Sequence, residues 1–246
     1  MLVNPKRQPA AKRATEHQKR QPPKVAPPRD GVNVDIQVWS DVICPWCYIG
    51  KRRLEKVLED FPGDVTMTFR AYQLDPSPVP AAQPIKQALA AKFGGAQRAD
   101  QMFAHVKGIA AGDGLTLDFD RAINANTLDS HRLIAWAAGQ DRQADMVDAL
   151  QRAHFAEGVD IGSRTALAGV GASIGLDRSA ALAYLESDAG TGAVNADLAE
   201  ARELGITSVP TFVIDGKYAV QGAQESTTLL AALEEIARRE AVDAGR

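Results

Sequence analysis

Both cysteines of this 246-residue chain fall in one tetrapeptide, Cys44-Pro45-Trp46-Cys47, set between a strand pattern and a helical pattern. Val34-Asp35-Ile36-Gln37-Val38-Trp39 alternates apolar and polar residues with β-branched content, which predicts a strand. From Tyr48 to Asp60 the spacing predicts a helix, with Ile49, Leu54, Val57, Leu58 and Phe61 three to five apart. Pro62-Gly63-Asp64 stops it, and Val65 to Leu74 reads as a second strand. A strand, a helix and a strand in this order imply a right-handed crossover and a parallel pair. Two cysteines in one motif exclude a disulfide-built scaffold and a four-cysteine metal site.

Residues 75–84 carry Pro76, Pro78, Pro80 and Pro84 and mark a departure from the sheet. Beyond them the chain is Ala-rich, and its periodicity predicts helices over 85–93, 97–111, 125–139, 142–156, 163–174 and 178–186. No strand pattern interrupts them, so we read an all-helical insertion of about residues 80–187 within an α/β unit. A helix over 190–204 ends at Gly205, a C-cap candidate. Val209 to Ile214 is a strand, Asp215-Gly216 a hairpin turn, and Lys217 to Gln221 its partner. An amphipathic helix over 225–240 closes the chain. There is no internal repeat and no glycine-rich phosphate loop.

The formal net charge of −3 averages two unlike pieces. Residues 1–30 hold eight Lys/Arg against Glu16 and Asp30, six of the 13 prolines, and no Phe, Trp, Tyr or Ile, whereas residues 31–246 hold 20 basic and 29 acidic residues. The first segment buries too little apolar surface to offset its ordering entropy, so we expect a disordered basic tail followed by one domain over 31–246. It lacks the apolar run of ~7–15 residues of a secretory signal. Nor does any segment approach the ~18–20 apolar residues of a membrane span. The expectation is a cytoplasmic protein with no membrane or nucleic-acid partner.

The chemistry is expected at the tetrapeptide. A cysteine at a helix N-terminus meets unsatisfied N–H groups and the positive end of the dipole, which stabilise a thiolate. Thiols so placed can have a pKa lowered from ~8.5 to ~3.5–7.5. Cys44 is thus the candidate nucleophile, and Cys47, one turn inward, the resolving thiol. Pro45 is preset for the first helical φ. A lone pair of cysteines can be half a zinc site, but His17, His105, His131 and His154 supply no second pair at ligand spacing, so we expect no metal. Asp41, three residues before Cys44, is a candidate to take or give a proton during resolution, or else a hydrogen-bonding residue of the strand-to-helix turn.

Taken together, these motifs resemble the thioredoxin superfamily, and within it the DsbA-like family and its FrnE-like branch. Members of that branch carry Ser-Asp-x-x-Cys-Pro-Trp-Cys-Tyr-x-Gly, matched by Ser40 to Gly50. They also carry an Asn-Thr…His-Arg-Leu stretch, matched by Asn126, Thr127, His131, Arg132 and Leu133, and a Phe-x-Glu-Gly-x-Asp-Ile turn, matched by Phe155 to Ile161. A Val-Pro-Thr-Phe segment, Val209 to Phe212, completes the set over roughly residues 33–240. The resemblance implies a thioredoxin-like sheet with a large all-helical insertion. It implies that Pro210 follows a cis bond and faces the dithiol, leaving the backbone of Val209 free to pair with an extended substrate. Asn126, His131 and Thr211 become candidate substrate contacts, and Trp46 presents an aromatic edge where strongly oxidising relatives carry His. No second Cys-x-x-Cys follows, so re-reduction falls to an external thiol.

The activity expected is that of a thiol–disulfide oxidoreductase or isomerase acting on protein or small-molecule disulfides, with no bound cofactor and with glutathione as a candidate redox partner. One alternative keeps the fold: a glutathione-dependent isomerase or transferase of the kappa-class or hydroxychromene-carboxylate isomerase type. Those relatives usually carry Ser at the position of Cys44 and lack the second thiol. A second alternative is a non-enzymatic binding protein that uses the basic tail.

Overall fold

The computed structural model describes residues 33–79 and 82–244, so the expected tail lies outside the described residues. Strand β1 (Val34–Ser40) is central in a four-stranded sheet. Its parallel neighbour is β2 (Val65–Ala71), reached through helix α1 (Pro45–Asp60), as the strand–helix–strand pattern requires. On its other edge β1 pairs antiparallel with β5 (Thr211–Ile214), which turns into β6 (Tyr218–Gln221), giving the order β2-β1-β5-β6. The hairpin turn holds Asp215 at φ 52° and Gly216 at φ 63°, the two positive values that a type I′ connection needs.

Between β2 and β5 the chain forms α2 (Ile85–Ala90), α3 (Ala96–Gly112), α4 (Leu128–Ala138), α5 (Gln143–Arg152), α6 (Arg164–Ser173), α7 (Arg178–Glu186) and α8 (Thr191–Glu203), and α9 (Ser226–Ala244) closes it. No described helix is long and apolar enough to cross a membrane.

Four differences from the sequence reading bear on the architecture. First, α1 begins at Pro45 rather than Tyr48, because Pro45 is already at the first helical position and Cys44 is its cap. Second, β2 stops at Ala71, the last residue opposite β1; Tyr72 N–H still donates to Ser40 O at 3.1 Å, and Leu74 N–H turns to the Asp41 carboxylate. Third, the insertion is not all helical. Two-residue strands β3 (Gln83–Pro84) and β4 (Ile123–Asn124) pair antiparallel within it, a ladder too short to show as an alternating pattern. Fourth, α5 gives way at Ala153–Glu157 to a π-helical turn. That wider winding leaves Ala153, His154 and Phe155 buried in succession.

Packing builds one large core and two smaller clusters. The large core joins Ile36 and Val38 of β1 to Leu54 and Val57 of α1, to Leu133 and Leu150 of the insertion, and to Leu229 and Leu233 of α9. An aromatic cluster joins α1 to α3: Tyr48 stacks on Phe155 at 6.1 Å, Phe155 meets Phe119 edge-on, and Phe119 meets Phe103 at 4.5 Å. The third cluster surrounds the cysteines with Trp39, Ala201, Ile206, Val209 and Val213.

Candidate active site

Cys44 caps α1 in extended conformation (φ −87°, ψ 116°), and its carbonyl accepts from Cys47 N–H at 3.1 Å and Tyr48 N–H at 3.3 Å. Pro45 follows at the first position of the helix, where its missing N–H leaves nothing unsatisfied. One turn later the resolving position, Cys47, is 1% exposed. Both thiols are free. Burial pushes the Cys47 thiol well above its ordinary value; the hydrogen bond and charge of Cys44 act the same way, while a backbone hydrogen bond at Asp41 opposes them.

The Val209-Pro210 peptide is cis. Val209 O faces the Cys44 sulfur at 4.0 Å, so the segment lies against the dithiol. The proline is held from behind at Gly50, which the sequence reading quoted only as the last residue of the cysteine motif. A Cβ built on Gly50 would stand 2.8 Å from Pro210 Cγ and 3.4 Å from Ala223. Only a residue without a side chain lets α1 pass this close to a rigid ring. The signal was present in the sequence, since a glycine inside a helix costs about 1 kcal/mol against alanine and so needs a packing reason.

Cys44 opens onto a cavity of about 350 Å³ that Asp41, Pro45 and Trp46 also line. Its wall is mainly apolar and comes from the insertion: Leu89, Phe93, Met102, Phe103, Val106 and Phe119. Lys92 and Asp75, an ion pair with each other, also line it. The sequence identified the cysteines but not this wall, because α2 and α3 begin 38 and 49 residues after Cys47 and their inward faces read as ordinary core.

Asp41 is buried; backbone N–H groups hold its carboxylate, and the His131 imidazole stands beside it with Nε2 making no hydrogen bond among the described residues. Oδ2 accepts from Leu74 N–H at 2.9 Å, and Oδ1 accepts from Ile43 N–H at 3.5 Å and stands 3.4 Å from His131 Nε2. His131 itself is buried on α4, behind Asp41 rather than in the cavity that holds Cys44. The position expected of it, in contact with substrate, is therefore corrected: α4 turns this face toward β1, and Asp41 stands between the imidazole and the dithiol cavity.

Asn126 is corrected likewise. It precedes α4 instead of lying on it, and its amide is fully used: Nδ2 donates to Pro76 O and Ser77 O, both at 3.0 Å, and Oδ1 accepts from Leu128 N–H and Gln73 Nε2. It fastens the proline-rich loop to the start of the helix. The Thr211 hydroxyl, at the start of β5, donates to Ser208 O at 2.8 Å, and the buried side chain does not line the cavity. Asn124, Ala125 and Thr127 line the cavity where Asn126 does not.

Two features were not anticipated. Arg132, adjacent to His131, is buried and donates to the carbonyls of Tyr184, Leu185, Ser187 and Ala189 and to Asp129, tying α4 to the end of α7. His154 is completely buried, with both ring nitrogens lacking a partner among the described residues. Burial lowers its pKa to about 4 against a small opposing pull from Asp41. No group of three or more His, Cys, Asp or Glu stands together as metal ligands among the described residues.

Comparison with known proteins agrees with this architecture. A structure from Streptomyces coelicolor, a probable DsbA oxidoreductase, is 34% identical and superposes with a TM-score of 0.76 over 82% of this chain and 89% of its own. A 2-hydroxychromene-2-carboxylate isomerase is 20% identical, with a TM-score of 0.63 over 84% and 98% of the two chains. The cytosolic disulfide reductase DsbM from Pseudomonas aeruginosa, solved also with GSH, is 22% identical, with a TM-score of 0.57 over 83% and 98%. The model of the DSBA-like thioredoxin domain matches residues 35–234. With strand, dithiol, helix, insertion and cis-proline hairpin in that order, the chain belongs to the DsbA-like thioredoxin family.

Proposed function

We propose that the protein is a thiol–disulfide oxidoreductase that works in the cytosol as a reductase or isomerase. The observation that carries this reading is the placement of Cys44 at the mouth of an apolar cavity, its sulfur against Val209 O and the resolving thiol of Cys47 one turn behind it. Cys44 sulfur attacks one sulfur of a substrate disulfide, forming a mixed disulfide and releasing the first substrate thiolate. Cys47 then attacks the Cys44 sulfur, loses its proton, and releases the second thiolate as the internal disulfide forms. Asp41 is the acceptor for that proton. Two equivalents of an external thiol such as glutathione return the pair to the dithiol and leave as a disulfide. Pro45 and Trp46 shape the mouth of the cavity, and the Val209 backbone offers an edge to an extended substrate.

Reduction of insulin disulfides tests the mechanism. Cys44→Ser abolishes it, Cys47→Ser stops turnover and accumulates the mixed disulfide, and deletion of residues 1–30 leaves the rate unchanged. Activity that survives Cys44→Ser rejects this mechanism and favours a glutathione-dependent isomerase, a reading supported by the apolar cavity beside Cys44. Loss of activity on deleting the tail favours a binding role. Equilibration with glutathione fixes the direction of electron flow: a potential near ~−270 mV marks a reductase, and one near ~−120 mV an oxidant.

A further inference from the structure

The proton released by Cys47 has to leave the protein at the moment its obvious exit is covered. Asp41, the acidic residue whose charge and backbone act on the Cys47 thiol, lines the same cavity as Cys44. A substrate joined to Cys44 occupies that cavity throughout the resolving step. Asp41 Oδ2 is fixed by Leu74 N–H, but Oδ1 faces the imidazole of His131 at 3.4 Å. On its far side His131 lines a second cavity, of about 200 Å³, together with Ser40, Arg70, Ala71 and Asp197. None of the residues lining this second cavity belongs to the active-site mouth, and Asp41 lines only the mouth.

Resting on the oxidoreductase reading above, we infer that His131 is the proton relay between Asp41 and this second cavity, giving the resolving thiol an exit separate from the substrate entrance. The transfer balances. Cys47 S–H gives its proton to the Asp41 carboxylate as the Cys47–Cys44 bond forms and the substrate thiolate leaves with the electron pair. Asp41 passes the proton to His131 Nε2, and the imidazole releases one from Nδ1 to water in the second cavity. The next reduction of the disulfide draws a proton back along the same path.

The groups around the relay support this direction. Asp197, on α8, lines the second cavity together with His131. Burial raises the Asp197 pKa above the usual carboxylate value, although Ala71 N–H at 2.8 Å and Arg70 at 3.0 Å oppose that shift. Arg70, on β2, also lines this cavity and is paired with Asp197 and Glu200. The other histidine that feels Asp41, His154 in the π-helical turn, is wholly buried and held neutral, with no hydrogen-bond partner on either nitrogen among the described residues, and lines neither of the two cavities. Cys44 and Cys47 on α1 complete the set.

Stopped-flow reaction of the reduced protein with 5,5′-dithiobis(2-nitrobenzoate) separates the steps: attack by Cys44 releases the first coloured thiolate, and resolution by Cys47 the second. With His131→Gln, the first phase stays within about twofold of wild type at neutral pH, while the second slows by about tenfold or more. The deficit narrows as pH rises, because hydroxide then takes the proton directly, and added imidazole restores part of the rate in His131→Ala. Asp197→Asn, which keeps an acceptor for Ala71 N–H and sits nearer the surface, slows the second phase by about threefold and leaves the first unchanged. It decides the matter if the buried His131 variants fail to fold. A second phase unchanged in both His131→Gln and Asp197→Asn, or both phases slowed equally at every pH, overturns the relay. Absence of the first phase in Cys44→Ser and its presence in wild type test the underlying mechanism independently.

Discussion

His154 shows what a single residue records about this fold. An imidazole with no partner on either nitrogen is tolerated because it stays neutral, and neutrality links it to pH. In the unfolded chain it binds a proton as the pH falls through its ordinary 6.5, whereas in the folded protein it does so only near 4. Between those values the unfolded state holds more protons, so folding weakens as pH falls, by on the order of 3 kcal/mol in total. Above 6.5 both states are neutral at this site and it contributes no slope. His154→Leu removes the two unpartnered nitrogens at similar volume. We expect its urea midpoint to fall less steeply than that of the wild type as the pH is lowered from 6.5 to 4. An identical slope in the two proteins contradicts the assignment. A histidine in an otherwise unremarkable helical stretch gave no sign of this in the sequence, because burial is decided by what packs on the turn.

Among the elements, α4 does the most to position the site. One of its faces brings His131 to Asp41, and the next residue, Arg132, holds the carbonyls at the end of α7. The two are neighbours in a motif that the sequence marked as a unit, yet they serve different ends: the first faces the reaction, the second fixes the register of α4 against α7 and α8. Arg132→Met leaves those carbonyls and Asp129 without their donor in a buried setting. Such a change costs about 3–5 kcal/mol by thermal or urea denaturation, while the rate of the first phase with a small disulfide changes little in the protein that remains folded. The element boundaries that periodicity misplaced share one physical origin. Where β2, α4 and α5 end is set by the partners that run out or begin nearby, namely the end of β1 at Ser40, the Asn126 hydrogen bonds to the proline-rich loop, and the packing of His154 and Phe155.

At the level of the whole molecule, the insertion has a chemical role beyond bulk. A thioredoxin-type sheet exposes its dithiol at the end of the strands, and here α2 and α3 wall that end into an apolar cavity. The aromatic cluster that attaches them to α1 also forms the wall, so stability and substrate capture are coupled there. Phe119→Ala, which removes a ring packed on Phe103 at 4.5 Å and on Phe155 at 6.0 Å, costs about 3–5 kcal/mol of stability. We expect it also to raise KM for aromatic disulfides more than for glutathione disulfide, with kcat little changed. A KM shifted equally for both places the substrate outside this cavity.

The sequence by itself determined the strand–helix–strand unit, the cysteine pair at its junction, the hairpin at Asp215-Gly216 and the succession of helices between them. All of these follow from short-range periodicity and from residues whose backbone preferences are strong. It also marked Asp41, His131 and Pro210 as members of motifs. Only the tertiary structure decided what each of them faces. Asn126 and Thr211 turned out to be spent on local hydrogen bonds, His131 to stand behind Asp41 instead of before the substrate, and Gly50 to admit the Pro210 ring. These outcomes depend on contacts between segments up to 180 residues apart, such as Asp35 N–H of β1 with the Asp215 carboxylate, and such contacts arise from packing that no local pattern of residues encodes.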